Sequence, residues 1–459
     1  MDEISFKEKL SFGIGAYGKD LVYGIVATFL MVFYTDVVGV SPVFIGGLFL
    51  VARIWDAFND PMMGWIVDNT KTKYGKFRPW ILGGTVINSI VLVLLYTNPS
   101  TFLQGTMVYV WCAVTYVLWG MTYTLMDVPY WSMIPSFSND SKVRDTMSVI
   151  PRLFAMFGGQ TIGTFGLMIV AFLGVNMGAT DTEGYFRFAL AVAVLFNICE
   201  VICFLNVKEH VVVERKESIK LAEAFQILKN NDQLLVIIGL TILQQLGVYL
   251  FLGLNVYFFK YVVCNESWFA IFGGVSFATQ LVAFALFPKL VRVFNHRIIY
   301  LASYTLLIIG CLLMFVTGTD SSASMYVFFP CAAIFQIGNA LTVVSTTVML
   351  ANTCDYGEYK CGTRSEALVF SSQTLTVKFG SAVAGAIGGI MLEAVGYVPN
   401  VVQTAETIMG LRCVMFLLSA AIFLVIILAY LKFYRLTGDY YRGIVAELKE
   451  RRQAAAANA

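Results

Sequence analysis

Long apolar runs separated by short polar breaks organise this chain almost from end to end. They fall near residues 12–36, 42–67, 79–98, 104–135, 150–174 and 187–207, and again near 233–262, 267–290, 297–317, 324–352, 366–394 and 407–432. A run of about 20 apolar residues is long enough to cross the hydrocarbon core of a bilayer as a helix. The pattern therefore predicts an all-α integral membrane protein with twelve transmembrane helices.

The placement of charge predicts an orientation. With an even number of spans both ends lie on one side. If that side is the cytoplasm, the inner connections and tail carry 24 Lys and Arg, and the outer side only Arg187, Lys260 and Arg412. Positive residues accumulate on the cytoplasmic face. The expectation is a multi-pass membrane protein with both termini in the cytoplasm. The opening MDEISFKEKL is charged and lacks the apolar core of a cleavable signal, so the first span is expected to direct its own insertion.

A polar stretch, KEHVVVERKESIKLAEAFQILKNND, occupies 208–232 and divides six spans from six. The expected organisation is an N-terminal six-helix bundle over 1–207, a cytoplasmic middle loop over 208–232, a second bundle over 233–434, and a cytoplasmic tail over 435–459. FYTDVVGVSPVFIGGLFLVARIWDAF is echoed by FFKYVVCNESWFAIFGGVSFATQLVAFAL. Aligning Gly46 with Gly273 sets Gln280, Ala283 and Phe287 opposite Arg53, Asp56 and Asp60. A duplicated six-span unit is a recurrent transporter architecture, with substrate held near the midplane. Only the first copy carries charge, which assigns ion chemistry to that half.

Composition narrows the function classes. Of 459 residues 58% are hydrophobic and 13% charged, against about 25% charged in soluble domains. The net charge of +2 gives no reason to expect a nucleic-acid partner. Nine Cys are scattered, mostly within apolar spans, and the two His lie in polar connections, so neither a disulfide framework nor a structural metal is expected. GxxxxGK[ST], HExxH and GxSxG do not occur. A non-enzymatic carrier without cofactor, driven by an ion gradient, fits this pattern.

The charges inside the spans are the candidate chemistry. At a span centre each costs about 2.5–3.5 kcal/mol, and an apolar residue returns only about 0.3–0.6 kcal/mol. Arg53, Asp56 and Asp60 lie within an arc of about 60° on the second span, so that face must look at a cavity or a partner helix. On the fourth span Gly120, Tyr123, Thr124, Asp127 and Trp131 form a stripe about 100° wide. The first span adds Lys19 and Asp20, the fifth Arg152, and the eleventh Gln373, Thr374 and Lys378. Glu200 and Glu393, near span ends, are expected to be interfacial. Some of these charges are expected to pair as struts, Arg53 with a carboxylate of its own span among them. Paired carboxylates with Thr and Asn oxygens suit a hard monovalent cation. Aspartate beside an aromatic ring suits a sugar.

GAYGKD, FYTDVVG, LFLVARIWDAFNDPMMGWIVD, YGKFRPWIL, LWGMTYTLMDVPYWS, NDQL, DYGEYK and QTLTVK occur in this order. At these residues the chain resembles the melibiose permease branch of the glycoside–pentoside–hexuronide:cation symporters, within the major facilitator superfamily, over nearly its whole length. The resemblance implies two pseudo-symmetric six-helix bundles and symport of a galactoside such as melibiose with Na⁺, Li⁺ or H⁺. It implies a cation site at Asp56, Asn59, Asp60 and Thr124, with Na⁺ held by the two carboxylates. It implies sugar contacts from Lys19, Asp20, Tyr123, Asp127, Trp131, Arg152, Gln373 and Thr374, coupling through Arg53 and Lys378, and inner-gate positions at Arg144, Asp355 and Arg364. Ala27 and Val343 replace aromatic residues of the family pattern, which puts the second sugar in question. A symporter for a glucuronide, pentoside or longer galactoside is the near alternative, and a non-transporting sugar sensor the distant one. The expected partners are the sugar, the cation and the lipid bilayer, with the monomer as the working unit.

Overall fold

The computed structural model describes residues 4–138, 141–174, 177, 180–210, 230–317, 322–361 and 366–457. Helices and short turns account for these residues, with no strand among them. Twelve helices are long and apolar enough to cross a membrane: α1 (Phe6–Val38), α2 (Pro42–Val67), α3 (Arg78–Leu95), α4 (Thr106–Ser132), α5 (Thr146–Leu173), α6 (Thr182–Asn206), α7 (Asp232–Val262), α8 (Ser267–Val293), α9 (His296–Val316), α10 (Ser324–Lys360), α11 (Leu375–Ala394) and α12 (Ala405–Phe433). A further helix, α13 (Gly438–Ala457), follows. Each expected span is present; α1 starts earlier and α10 runs further than their apolar cores suggest, because polar residues at both ends continue the helix.

The chain packs as two compact units. One holds the chain up to the connection after α6, together with Val256–Gly273 and Leu392–Gln403; the other holds the stretch ending at Asn255, Gly274–Met391 and the chain from Thr404. The two units share pairings. In the first, α1 packs on α6, and α3 on both α4 and α6. In the second, α7 packs on α12, and α9 on both α10 and α12. This repetition is the structural form of the sequence echo. It extends to backbone detail, since α1 and α7 both end in π-helical turns, Phe33–Val38 and Phe258–Val262. A left-handed residue follows each turn, Gly39 at φ 82° directly after the first and Cys264 at φ 56° one residue beyond the cap of the second.

Small residues set how closely the helices approach. In the first unit a Cβ on Gly158 of α5 would stand 2.5 Å from the Tyr17 carbonyl oxygen of α1. In the second, a Cβ on Gly338 of α10 would stand 2.7 Å from the Ser303 carbonyl oxygen of α9.

The polar connection after α6 begins as structure rather than free loop. Glu209 accepts from the backbone N–H of Lys76 (2.9 Å) and Phe77 (2.8 Å), placing an anion at the start of α3, where the helix dipole favours it. Glu8, buried in the first turns of α1, accepts from the Lys208 N–H at 3.0 Å and from His210 at 2.9 Å.

Candidate functional site

The charged face of α2 looks inward because the opposite face is apolar. Val51, Ile54, Trp55, Phe58, Met62 and Trp65 are exposed and fall within an arc of about 100°. Arg53, Asp56 and Asp60 lie across the helix from them. Asp56 is 6% exposed and Asn59 4%, so the polar stripe is enclosed by protein.

Within that stripe Arg53 Nη1 donates to Asp56 Oδ2 at 2.7 Å, which is the strut the sequence suggests. Thr124 of α4 donates to Asp60 Oδ1 at 3.0 Å. Gly120, one turn earlier on α4, brings the backbone close: a Cβ there would sit 3.4 Å from Asp56 Oδ1. A cavity of about 10 Å³ lies between Arg53, Asp56, Tyr116, Trp119 and Gly120, about the size that one water-sized occupant needs. The Asn59 Nδ2 is buried without a hydrogen-bond partner among the described residues. As an NH₂ group it can donate but not ligate a cation, so any contribution of Asn59 to a cation must come through its carbonyl oxygen.

One turn further along α4 the second constellation begins. Lys19 of α1, 3% exposed, donates to Asp127 Oδ1 at 2.6 Å and stands 3.6 Å from Asp20 Oδ2. The Trp131 indole N–H donates to the same Asp127 oxygen at 3.1 Å, and the Lys19 ammonium lies 4.6 Å from the Trp131 ring centroid, within range of an attractive cation–π contact. The Arg152 guanidinium approaches the same ring at 6.0 Å. Tyr123 packs between Tyr23 at 5.8 Å and Trp119 at 5.4 Å. The side chains of Asp20 and Asp127 stay 26% and 21% accessible, and Asp20 Oδ2 has no hydrogen-bond donor among the described residues. One ammonium thus orients two reachable carboxylates beside an indole face. That arrangement can accept hydrogen bonds from adjacent hydroxyl groups while the ring covers an apolar C–H surface.

Six of the expected sugar contacts (Lys19, Asp20, Tyr123, Asp127, Trp131 and Arg152) and all four of the cation set belong to the first unit. The rest are elsewhere or undescribed. Gln373 and Lys378 are half-buried on the extended helix Glu366–Ala394 of the second unit. The side chains of Thr374 and Arg144, and all of Arg364, lie outside the described residues. Asp355 accepts from the Tyr441 hydroxyl at 2.8 Å, linking α10 to α13. In the second unit the face aligned with the charges of α2 is neutral. Gln280 donates to Gln336 (3.1 Å), which donates to Ser276 (2.9 Å). Ala283 is buried, and Phe287 packs with Ile299 and Leu341 in an apolar cluster.

Two features escape the sequence reading. Glu200 is not interfacial: it is 0% exposed, buried against α1. Asp36, in the π turn of α1, gathers donors from three stretches of chain: Lys260 (2.8 Å), Thr35 (2.8 Å), Tyr397 (2.5 Å) and Tyr261. The signal for it was the echo itself, which carries Asp in FYTDVV and Lys in FFKYVV. A cavity of about 440 Å³ opens beside this cluster, lined also by Thr180, Tyr185 and Glu266; Lys19, Asp127 and Trp131 do not line it.

Known proteins resemble this chain over most of its length. An isoprimeverose transporter of Lactiplantibacillus pentosus is 32% identical over 406 residues, 88% of this chain and 84% of that protein. A putative sulfoquinovose importer of Escherichia coli (strain K12) is 30% identical over 98% of this chain and 95% of its own length. A raffinose carrier protein of Pediococcus pentosaceus is 28% identical over 96% of this chain and 71% of its own length. Among solved structures the nucleoside transporter NupG superposes with a TM-score of 0.69 at 12% identity, over 93% of this chain and all of that one, a likeness of fold. The family described as MFS/sugar transport protein matches residues 11–438, and this multi-pass membrane protein belongs to it.

Proposed function

We propose that this protein imports a galactoside such as melibiose together with Na⁺, Li⁺ or H⁺ across a bacterial inner membrane, by alternating access and as a monomer with both termini in the cytoplasm. The observation that carries this reading is the Lys19–Asp127–Trp131 cluster. It sets two accessible carboxylates and an indole ring side by side, one turn along α4 from the hydroxyl that holds Asp60.

Arg53 refines how the cation acts. The family resemblance implies coupling through Arg53 and Lys378. In the first unit the guanidinium of Arg53 stands at Asp56. An incoming cation competes with this tethered charge, drawing Asp56 and Asp60 together and tightening α2 against Thr124. Since Thr124 and Asp127 are one turn apart, that closure is felt at the sugar carboxylates. Linkage requires the sugar to favour the cation by the same factor.

A different glycoside of the same family is the second reading, favoured by the resemblance to an isoprimeverose transporter at 32% identity. Uptake of labelled melibiose into vesicles, with and without Na⁺, and with unlabelled isoprimeverose or raffinose as competitor, tests both. Na⁺-stimulated melibiose uptake supports the first reading. Competition by isoprimeverose with no melibiose uptake supports the second.

A further inference from the structure

Glu200 is buried in the first unit with no hydrogen-bond partner among the described residues. It is 0% exposed, and neither carboxylate oxygen has a hydrogen-bond donor. Its Oε2 lies 3.1 Å from the position of a Cβ on Gly15 of α1. Gly15 is one turn before Lys19, so the carboxyl sits on the face of α1 that carries the lysine. Lys19 and Asp127 are the charged groups that act on it among the described residues. On α4 the Tyr130 hydroxyl donates to the Phe12 carbonyl and not to Glu200. On its own helix it is flanked by the thiols of Cys199 and Cys203. Arg78 at the start of α3 acts on Cys203, and on α5 Arg152 is turned to Trp131.

We propose that Glu200 is a proton-binding site, separate from the α2 carboxylates, that governs whether Lys19 stays with Asp127. An ionised carboxylate with no protein donor is costly to bury, so the resting side chain is the neutral acid. Lys19 already serves two carboxylates. Loss of the Glu200 proton creates a third, which competes for the same ammonium and draws it off the Asp127–Trp131 face. Protonated Glu200 therefore favours the sugar-ready arrangement, and ionised Glu200 opposes it. The coupling to sugar rests on the proposed function; the proton site itself does not.

The test compares wild type with Glu200→Gln, which keeps the shape and fixes the neutral state, in purified full-length protein. The first measurement needs no sugar: melting temperature from about pH 6 to about pH 9, the range in which buried carboxyls can titrate. The folded protein holds a proton that an unfolded Glu releases, so wild-type stability falls as pH rises through this range. The expected result is a gap in favour of Glu200→Gln that widens with pH. Parallel profiles overturn the proton site. The second measurement is melibiose affinity, expected to weaken by about tenfold between about pH 7 and about pH 9 in wild type and less than about twofold in the variant. Equal weakening in both overturns the link to Lys19. Absence of melibiose binding at every pH counts against the galactoside reading, while the melting profiles still decide the proton site. If Glu200→Gln does not yield monodisperse protein, Glu200→Met removes the same proton and takes its place in both measurements.

Discussion

Thr124 of α4 donates to Asp60 of α2 at 3.0 Å, and it does so from a position one turn before Asp127, the carboxylate held by Lys19. A single hydroxyl thus joins the α2 carboxylates to the α4 stripe. Thr124→Val keeps the shape and removes the donor. The account predicts that the Na⁺ concentration giving half-maximal stimulation of sugar binding rises about tenfold, the size of one lost hydrogen bond to a charged group. Sugar affinity at saturating Na⁺ should change less than about threefold. An unchanged Na⁺ dependence would separate Thr124 from the cation site.

Asp127 accepts from both Lys19 and Trp131. Asp127→Ala removes the centre of the cluster, and galactoside affinity should fall by more than about 100-fold, or roughly 2.7 kcal/mol. Equilibrium binding to a monodisperse sample checks this. Wild-type affinity would place the sugar elsewhere.

Asp36 is a structural hub. Asp36→Asn removes the charge that pairs with Lys260 and weakens the acceptor for Thr35, Tyr261 and Tyr397. Breaking a buried pair of this kind costs about 3–5 kcal/mol, so the melting temperature should drop clearly. Lys260→Ala should add little to Asp36→Asn in the double variant, with a coupling of about 1–3 kcal/mol. Additive losses would show that the two side chains act independently.

Gly158 and Gly159 are neighbours with opposite surroundings. A Cβ on Gly158 would press on the Tyr17 carbonyl at 2.5 Å, and a Cβ on Gly159 would meet nothing within 4 Å. Gly158→Ala should destabilise by about 1–3 kcal/mol, because backbone cannot give way as a side chain can. Gly159→Ala should be neutral or stabilising by up to about 1 kcal/mol through helix propensity. Thermal unfolding of the two variants reads the contrast directly.

The twelve spans were legible because a membrane helix must be apolar over its full width, and the polar faces of α2 and α4 stood out against that background. Periodicity alone set Arg53, Asp56 and Asp60 on one side and Gly120, Tyr123, Thr124, Asp127 and Trp131 on the other. The Arg53–Asp56 strut was legible too, since three residues on a helix bring such side chains together. The hydrogen bond from Thr124 to Asp60 was not, because spacing cannot say which of two neighbouring helices approaches. Glu200 was misjudged for a related reason. Its place near a span end suggested an interface, but Gly15 and Gly18 let α1 close over it. Asp36 and Lys260 stand 224 residues apart, and sequence offered only the echo to connect them.

The claim at the centre of this account is that charge on the α2 face, and not its shape, links cation to sugar. Asp60→Asn preserves shape, leaves an acceptor for Thr124 and removes one charge. The deciding measurement is galactoside affinity as a function of Na⁺ concentration in wild type and Asp60→Asn. The account predicts that the variant still binds sugar and that Na⁺ no longer raises its affinity. A variant whose sugar affinity rises with Na⁺ as steeply as wild type would contradict it, and would leave the carboxylates of α2 as struts between helices.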